Sequence, residues 1–198
     1  MRKILALALI AALAQPALAG DWTVKLGAHA INPKSDNGTL AGTLPIEIDT
    51  NVRPSIMIEY LWTPNWGIEV LAAVPFEHEV STGGTKIAEI THLPPTFSLQ
   101  YHFNPGGQVS PYLGAGFNYT FIYDEEARGP IAGSRLKLDD SFGLAAHAGI
   151  DFRMNDRWSL GVDVRWIDID SDVKLDGVDI GEVNVDPFAY GAYAMYRF

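Results

Sequence analysis

Three aspartates, Asp168, Asp170 and Asp172, stand at the alternate spacing with which a calcium loop opens, and Asp176 and Asp179 follow them. Such a loop needs glycine at its sixth position and a bidentate glutamate at its twelfth, where this chain has Val173 and Asp179. The run therefore reads as a solvated hairpin, with diffuse divalent-cation bridging as the chemistry left to it. His29, His102 and His147 could also ligate a metal, but they fall on three separate alternating segments at different heights. They predict polar filling and no common metal site. Ser141 with His78 or His92 supplies the parts of a hydrolytic site, yet no spacing sets a base beside the nucleophile. The chain thus reads as a protein without metal, cofactor or catalytic centre. Cysteine is absent, which removes thiolate ligands and disulfides alike.

The remaining candidates are charged and polar residues that recur at every second position among apolar ones. Lys25, Glu59, Glu69, Gln100, His102, Asp151, Asp163, Arg165 and Arg197 share this setting. Strict alternation runs eight times, over residues 22–31, 55–62, 66–76, 96–103, 112–121, 142–152, 158–167 and 188–198. A period of two means strand, and roughly ten residues is the length a tilted strand needs to cross a bilayer. Connections alternate between short (63–65, 104–108, 153–157) and long (32–53, 77–92, 122–140, 170–184), as periplasmic turns and external loops do. Trp22, Trp62, Trp66, Phe103, Tyr112, Phe152, Trp158 and Phe198 gather beside the short turns, where amphipathic rings suit a membrane interface.

A soluble sandwich or lipocalin-like barrel would alternate as well, but it would have to spread the charged face over its outside. The aromatic girdle, the turn asymmetry and the aromatic-ended last strand favour the membrane barrel. The expectation is all-β: an eight-stranded antiparallel transmembrane up-and-down β-barrel over residues 20–198, with both termini in the periplasm of a Gram-negative bacterium. Arg2 and Lys3, the apolar run from Ile4 to Leu13 and the small-residue site Ala17-Leu18-Ala19 predict a signal peptide over residues 1–19. The net charge of −10 becomes more negative on its removal and argues against nucleic acid as a partner. The hydrophobic fraction of 47% would suit a soluble domain equally well, so the order of residues and not their proportion carries the reading.

Several segments together resemble the OmpW family of small outer-membrane barrels over nearly the whole mature chain. They are His92-Leu93-Pro94-Pro95-Thr96 leading into Leu99-Gln100-Tyr101-His102-Phe103, and Pro111-Tyr112-Leu113-Gly114-Ala115-Gly116-Phe117-Asn118-Tyr119-Thr120. Asp140-Ser141-Phe142-Gly143-Leu144-Ala145-Ala146, Asn155-Asp156-Arg157-Trp158 and Asp163-Val164-Arg165-Trp166-Ile167 complete the pattern. The resemblance implies a narrow, partly apolar interior that passes small hydrophobic molecules and releases them through the wall into the membrane, without a cofactor.

Sorting the inward residues by height gives the same picture independently. Lys25, Arg165 and Arg197 lie near the level of Glu59, Glu69, Asp151 and Asp163 toward the periplasm, where an eight-stranded barrel is only wide enough for side chains. These charges are expected to pair and form a lumen plug that blocks water and ions. Higher up, Ile31, Met57, Leu71, Ala73, Thr96, Ile167 and Ala189 predict an apolar cup for a small hydrophobic ligand. Pro75 tops the third strand and Pro94 and Pro95 begin the fourth, and none has an N–H for the ladder, which suggests a lateral exit. The expected partners are outer-membrane lipid and lipopolysaccharide, small hydrophobic solutes and, through the last strand ending at Phe198, the barrel-assembly machinery. The alternative is a structural or receptor barrel whose long external loops bind partners while nothing crosses.

Overall fold

The computed structural model describes residues 21–198; the expected signal peptide, residues 1–19, lies outside them. The eight alternating runs form eight strands: β1 (Asp21–Asn32), β2 (Asn51–Leu61), β3 (Trp66–Ala73), β4 (Thr96–His102), β5 (Val109–Ala127), β6 (Ser141–Arg153), β7 (Trp158–Ile167) and β8 (Phe188–Arg197). Each pairs antiparallel with its successor, and β8 returns to β1 from Thr23↔Arg197 to Asn32↔Phe188, closing the ring. Closure pairs the wall's edge strands with each other, which hydrocarbon demands because it offers no partner for a free N–H or C=O. Among the described residues no helix is long and apolar enough to cross a membrane; the strands do so.

The alternation sets polarity by face. Leu26, Ile68, Leu99, Leu144, Val162 and Tyr190 point outward and are exposed, whereas Lys25, Glu59, Glu69, Gln100 and Arg165 point inward and are buried. A hydrocarbon exterior and a hydrated or paired interior reverse the usual globular arrangement. At the end with the short turns, rings touch along the wall: Trp22 with Tyr60 at 4.9 Å, Trp66 with Tyr101 at 4.8 Å, and Trp158 with Tyr196 at 5.0 Å between centroids. These contacts build the girdle expected from the sequence, except at Tyr112, which is 1% exposed and turns into the lumen because its place in the alternation is an inward one.

The structure departs from the sequence reading above the membrane. Most of the four long connections fold into β-structure. β5 runs on to Ala127 and pairs with Thr85–Leu93, which forms a hairpin with Phe76–Thr82. Asp170–Leu175 and Val178–Asn184 form a second hairpin, with Leu136–Leu138 on its edge. The turn pairs Gly83-Gly84 (φ 53° and 74°) and Asp176-Gly177 (φ 52° and 86°) adopt the left-handed conformations that two-residue hairpin turns require. Leu40, Ile46, Val80, Ile87, Ile90, Ile122, Leu138, Ile169, Val173 and Val183 pack together there as one apolar core. The barrel thus carries a folded cap where the sequence indicated long external loops, and the hairpin expected at the aspartate run is part of it.

Phe76 is a correction of the same kind. Parity places it outward with Trp66 and Ile68, but the ladder of β3 ends at Ala73 and Phe76 is 1% exposed, facing inward. Pro75 supplies the reason: it cannot continue the ladder, and the chain re-enters its next strand with the alternation shifted by one.

Candidate functional site

The lower lumen is filled by a polar network to which every strand contributes. Glu69 on β3 accepts from Lys25 Nζ of β1 at 2.6 Å and from Arg165 Nη2 of β7 at 2.7 Å. Arg165 also holds Asp163 at 2.6 Å, and His29 links Asp163 (3.0 Å) to Ser55 of β2 (2.7 Å). Glu59 on β2 lies 3.4 Å from Lys25 Nζ and 2.8 Å from His102 Nε2 of β4, and accepts from Gln100 Nε2 at 2.9 Å. His147 on β6 reaches Gln100 Oε1 at 2.8 Å. Tyr193 of β8 donates to Asp151 of β6 at 2.8 Å and bonds the Tyr112 hydroxyl of β5 at 2.7 Å, while Lys25 Nζ sits 4.9 Å above the Tyr112 ring.

These charges are buried, so pairing is what makes them tolerable: an isolated ion in such surroundings would cost several kcal/mol. Glycines on the neighbouring strands make the room. A Cβ at Gly149 would lie 2.3 Å from Tyr112, and one at Gly161 would lie 2.4 Å from the Tyr193 ring. Of the seven residues expected to form the plug, Lys25, Glu59, Glu69, Asp151, Asp163 and Arg165 meet in this network. Arg197 does not. It lies at the periplasmic rim, a quarter exposed, and pairs with Asp21 at 2.8 Å, because position 197 pairs with Thr23 near the last rung of the ladder and opens onto the mouth.

Above the network, Ile31, Leu71, Ala73, Ile167 and Ala189 do line one space, together with His29, Phe76 and Pro94, but its volume is only about 10 Å³. Phe76, turned inward by the parity shift, is packed against Ile31, Ala189 and Ala73. Met57 sits with Leu71, Tyr193 and Met195, and its sulfur receives an Arg165 N–H at 3.2 Å. Thr96 is tied to Asn118 Nδ2 at 3.0 Å and to the Pro94 carbonyl. The roomier apolar space is higher, in the cap. It has a volume of about 270 Å³ and is walled by Leu40, Leu44, Val80, Ile87, Leu138 and Val173, among others. Residue-by-residue reading of the strands missed it because its walls come from segments far apart in sequence. The signal was present in the alternating runs 76–82 and 85–93 and the hairpin pairs Gly83-Gly84 and Asp176-Gly177.

Pro75, Pro94 and Pro95 occupy one interruption of the wall. The pairing of β3 with β4 stops at Leu71↔Thr96 and the next rung is Phe76↔His92 in the cap hairpin. Across the gap the proline carbonyls are held by other neighbours: Pro75 by Arg53 Nε at 3.1 Å, and Pro95 by Tyr119 N at 3.1 Å and Asn118 Nδ2 at 3.0 Å. Pro94 is buried and lines the small apolar space behind the gap.

The other sequence candidates are accounted for by local contacts. Asp168, Asp170 and Asp186 bring carboxylate oxygens within 4.8 Å of one another, but Asp170 accepts from Asn184 Nδ2 and Asp186 from Lys34 Nζ. Asp172, Asp176 and Asp179 stay outside that group, and Asp176 accepts the Arg135 N–H. Ser141 Oγ accepts the Asp170 N–H at 3.0 Å.

The OmpW family matches residues 18–198 of the chain. Outer membrane protein W of Vibrio cholerae is 37% identical over 215 residues, covering 100% of this chain and 99% of that protein. Among solved structures, the outer membrane protein OprG from Pseudomonas aeruginosa superposes with a TM-score of 0.81 at 31% identity, over 91% of this chain and 96% of that one. The solution structure of the E. coli outer membrane protein W gives 0.65 at 34% identity, over 91% and 98%.

Proposed function

Because this chain belongs to the OmpW family of outer-membrane barrels, we propose that it takes small hydrophobic molecules from the cell exterior into its cap and delivers them sideways into the membrane. The observation that carries this reading is the apolar cavity of about 270 Å³ standing above a lumen crossed by paired charges. A buried apolar cavity of about 150 Å³ is enough to stay dry and take up benzene, so the cap has room for a one- or two-ring hydrocarbon or a short alkane. Water and ions have no comparable path, since the paired charges of Lys25, Glu59, Glu69, Asp163 and Arg165 occupy the lumen below. A solute that enters the cap therefore leaves through the wall, and the interruption at Pro75, Pro94 and Pro95 is where the wall lacks rungs.

The chain has no native cysteine, so a disulfide between Ala73→Cys and Pro94→Cys can be introduced cleanly across that interruption. Uptake of an apolar solute such as naphthalene by cells or proteoliposomes should fall in the oxidised protein and recover on reduction. Equal uptake in both states would remove the lateral exit. Equal uptake with and without the protein would remove transport itself and leave the receptor reading, in which the cap binds a partner and nothing crosses.

A further inference from the structure

The cap hairpin of residues 76–93 carries two inward histidines that the transport reading does not use. His78 and His92 are each 2% exposed, and their rings meet edge to face at 5.0 Å between centroids. Phe76 packs on both, at 6.4 and 5.6 Å. The Nε2 atoms of both histidines are buried without a hydrogen-bond partner. Two unpartnered imidazole nitrogens side by side are tolerated only while both rings are uncharged. The pair sits on the first rungs above the proline interruption, where Phe76 is opposite His92 and His78 opposite Ile90.

The charges around the pair are distributed unevenly. On the inner side Phe76 packs against His92, and Ile122 of β5 is the residue opposite it. On the outer side His78 borders a cavity of about 350 Å³ lined by Asp49, Glu77, Glu79, Glu89, Asp124 and Glu126. Asp49 is the nearest of these, with its carbonyl 2.7 Å and its Oδ1 3.4 Å from His78 Nδ1. Cations balance part of this charge: Arg53 pairs with Glu77, Lys86 with Glu79 and Glu89, and Arg128 with Glu89 and Glu126.

We propose that His78 and His92 form an acid-sensitive latch that keeps the 76–93 hairpin seated over the wall interruption, and that protonation releases it by drawing His78 outward into the acidic cavity. The uncharged rings suit the apolar seam and the imidazolium suits the carboxylates, so the element has two packings separated by a proton. Burial pushes both imidazoles below their ordinary range, His92 down to about 3, and the His78 ring beside it adds to the shift. Arg53 opposes a charge on His78 and Asp49 favours one. The seated hairpin therefore binds fewer protons than the released one at mildly acidic pH.

Hydrogen–deuterium exchange on the full-length barrel in lipid nanodiscs tests this, comparing about pH 7.5 with about pH 4.5. Exchange in residues 76–93 is corrected for the pH dependence of the exchange chemistry and read against amides of β1 and β8. Two pH units below an ordinary histidine, release should rise up to about a hundredfold for each imidazole that must charge. His78→Gln/His92→Gln should lose most of the response, and His92→Phe should lose the share of His92 and keep at most that of His78, while β1 and β8 protection stays native. The latch is overturned by unchanged hairpin protection in the wild type. It is equally overturned by an undiminished acid response in both variants, which would assign the effect to the cavity carboxylates. The readout is hairpin protection and not uptake, so it stands apart from whether any solute crosses.

Discussion

Arg165 on β7 reaches Glu69 on β3, the strand four places away and therefore opposite in the ring of eight, with 2.7 Å between Nη2 and Oε1. The ion pair spans the lumen, and Lys25 joins it at 2.6 Å from the other oxygen of the same carboxylate. The three side chains form a strut across the diameter of a narrow barrel.

Removing one end of that strut should cost more than removing both. Glu69→Gln or Arg165→Met alone leaves a buried charge short of its partner, a loss of about 3 to 5 kcal/mol, whereas the double replacement by residues of similar size should recover part of it. Urea unfolding of the barrel in lipid, followed by the heat-modifiable gel shift, measures all three. Additive losses would mean that the two side chains do not act on each other.

Emptying the network should turn a sealed barrel into a leaky one. Lys25→Ala/Glu69→Ala/Arg165→Ala removes the central triad, and its planar-bilayer conductance should exceed that of the wild type severalfold. Wild-type conductance equal to the variant's would show that these residues do not seal the lumen.

Filling the cap should act on uptake without unfolding the wall. Ala88 is buried in the apolar core of the cap and lines its cavity, so Ala88→Trp occupies space that a solute would need. The expected result is a loss of uptake and of fluorescent-probe binding with the barrel's unfolding midpoint within experimental error of the wild type. Retained uptake would place the route elsewhere.

Gly161 is predicted to be intolerant of even one methyl group. A Cβ would meet Tyr193 at 2.4 Å and push it from Asp151 and Tyr112, at a cost of roughly 1 to 3 kcal/mol. If the loss arises from this contact, Tyr193→Ala in the Gly161→Ala background should destabilise the barrel less than Tyr193→Ala in the wild type.

The buried histidines of the cap give the stability of the hairpin a defined pH slope. Their folded values lie below those of free imidazole, His92 at about 3, so the unfolded or released segment binds more protons between that value and about 6.5. Hairpin stability is therefore complete above about pH 6.5 and falls as the pH drops through that window. Thermal or denaturant melts of the cap, followed by tryptophan placed at Thr82, should weaken on acidification; a cap more stable at about pH 5 than at about pH 7.5 would reverse the sign and refute the assignment.

The number of wall strands, their inward and outward faces and the residues that can be charged in the lumen were legible in the sequence. Alternation is a local property, fixed by the pleat of each strand, and Lys25 or Asp163 among apolar neighbours declares its face without reference to any other strand. Family membership followed from motifs that are also local. The partners of those residues were not legible. Arg165 and Glu69 meet only because eight strands close, and Arg197, next to the end of the last strand, falls on the rim because of the register in which β8 meets β1. The cap was misjudged for a related reason: 77–92 and 170–184 carry strand patterns, but whether such segments stay in water or pack depends on apolar partners supplied by other loops. Phe76 shows the limit most sharply, since one proline shifts parity and turns a lipid-facing ring into a lumen-facing one. Thus the sequence by itself determined which side chains face which medium wherever the ladder is unbroken, because that is decided within each strand. Only the tertiary structure decided which of them touch, because closure and cap packing join residues that no local pattern connects.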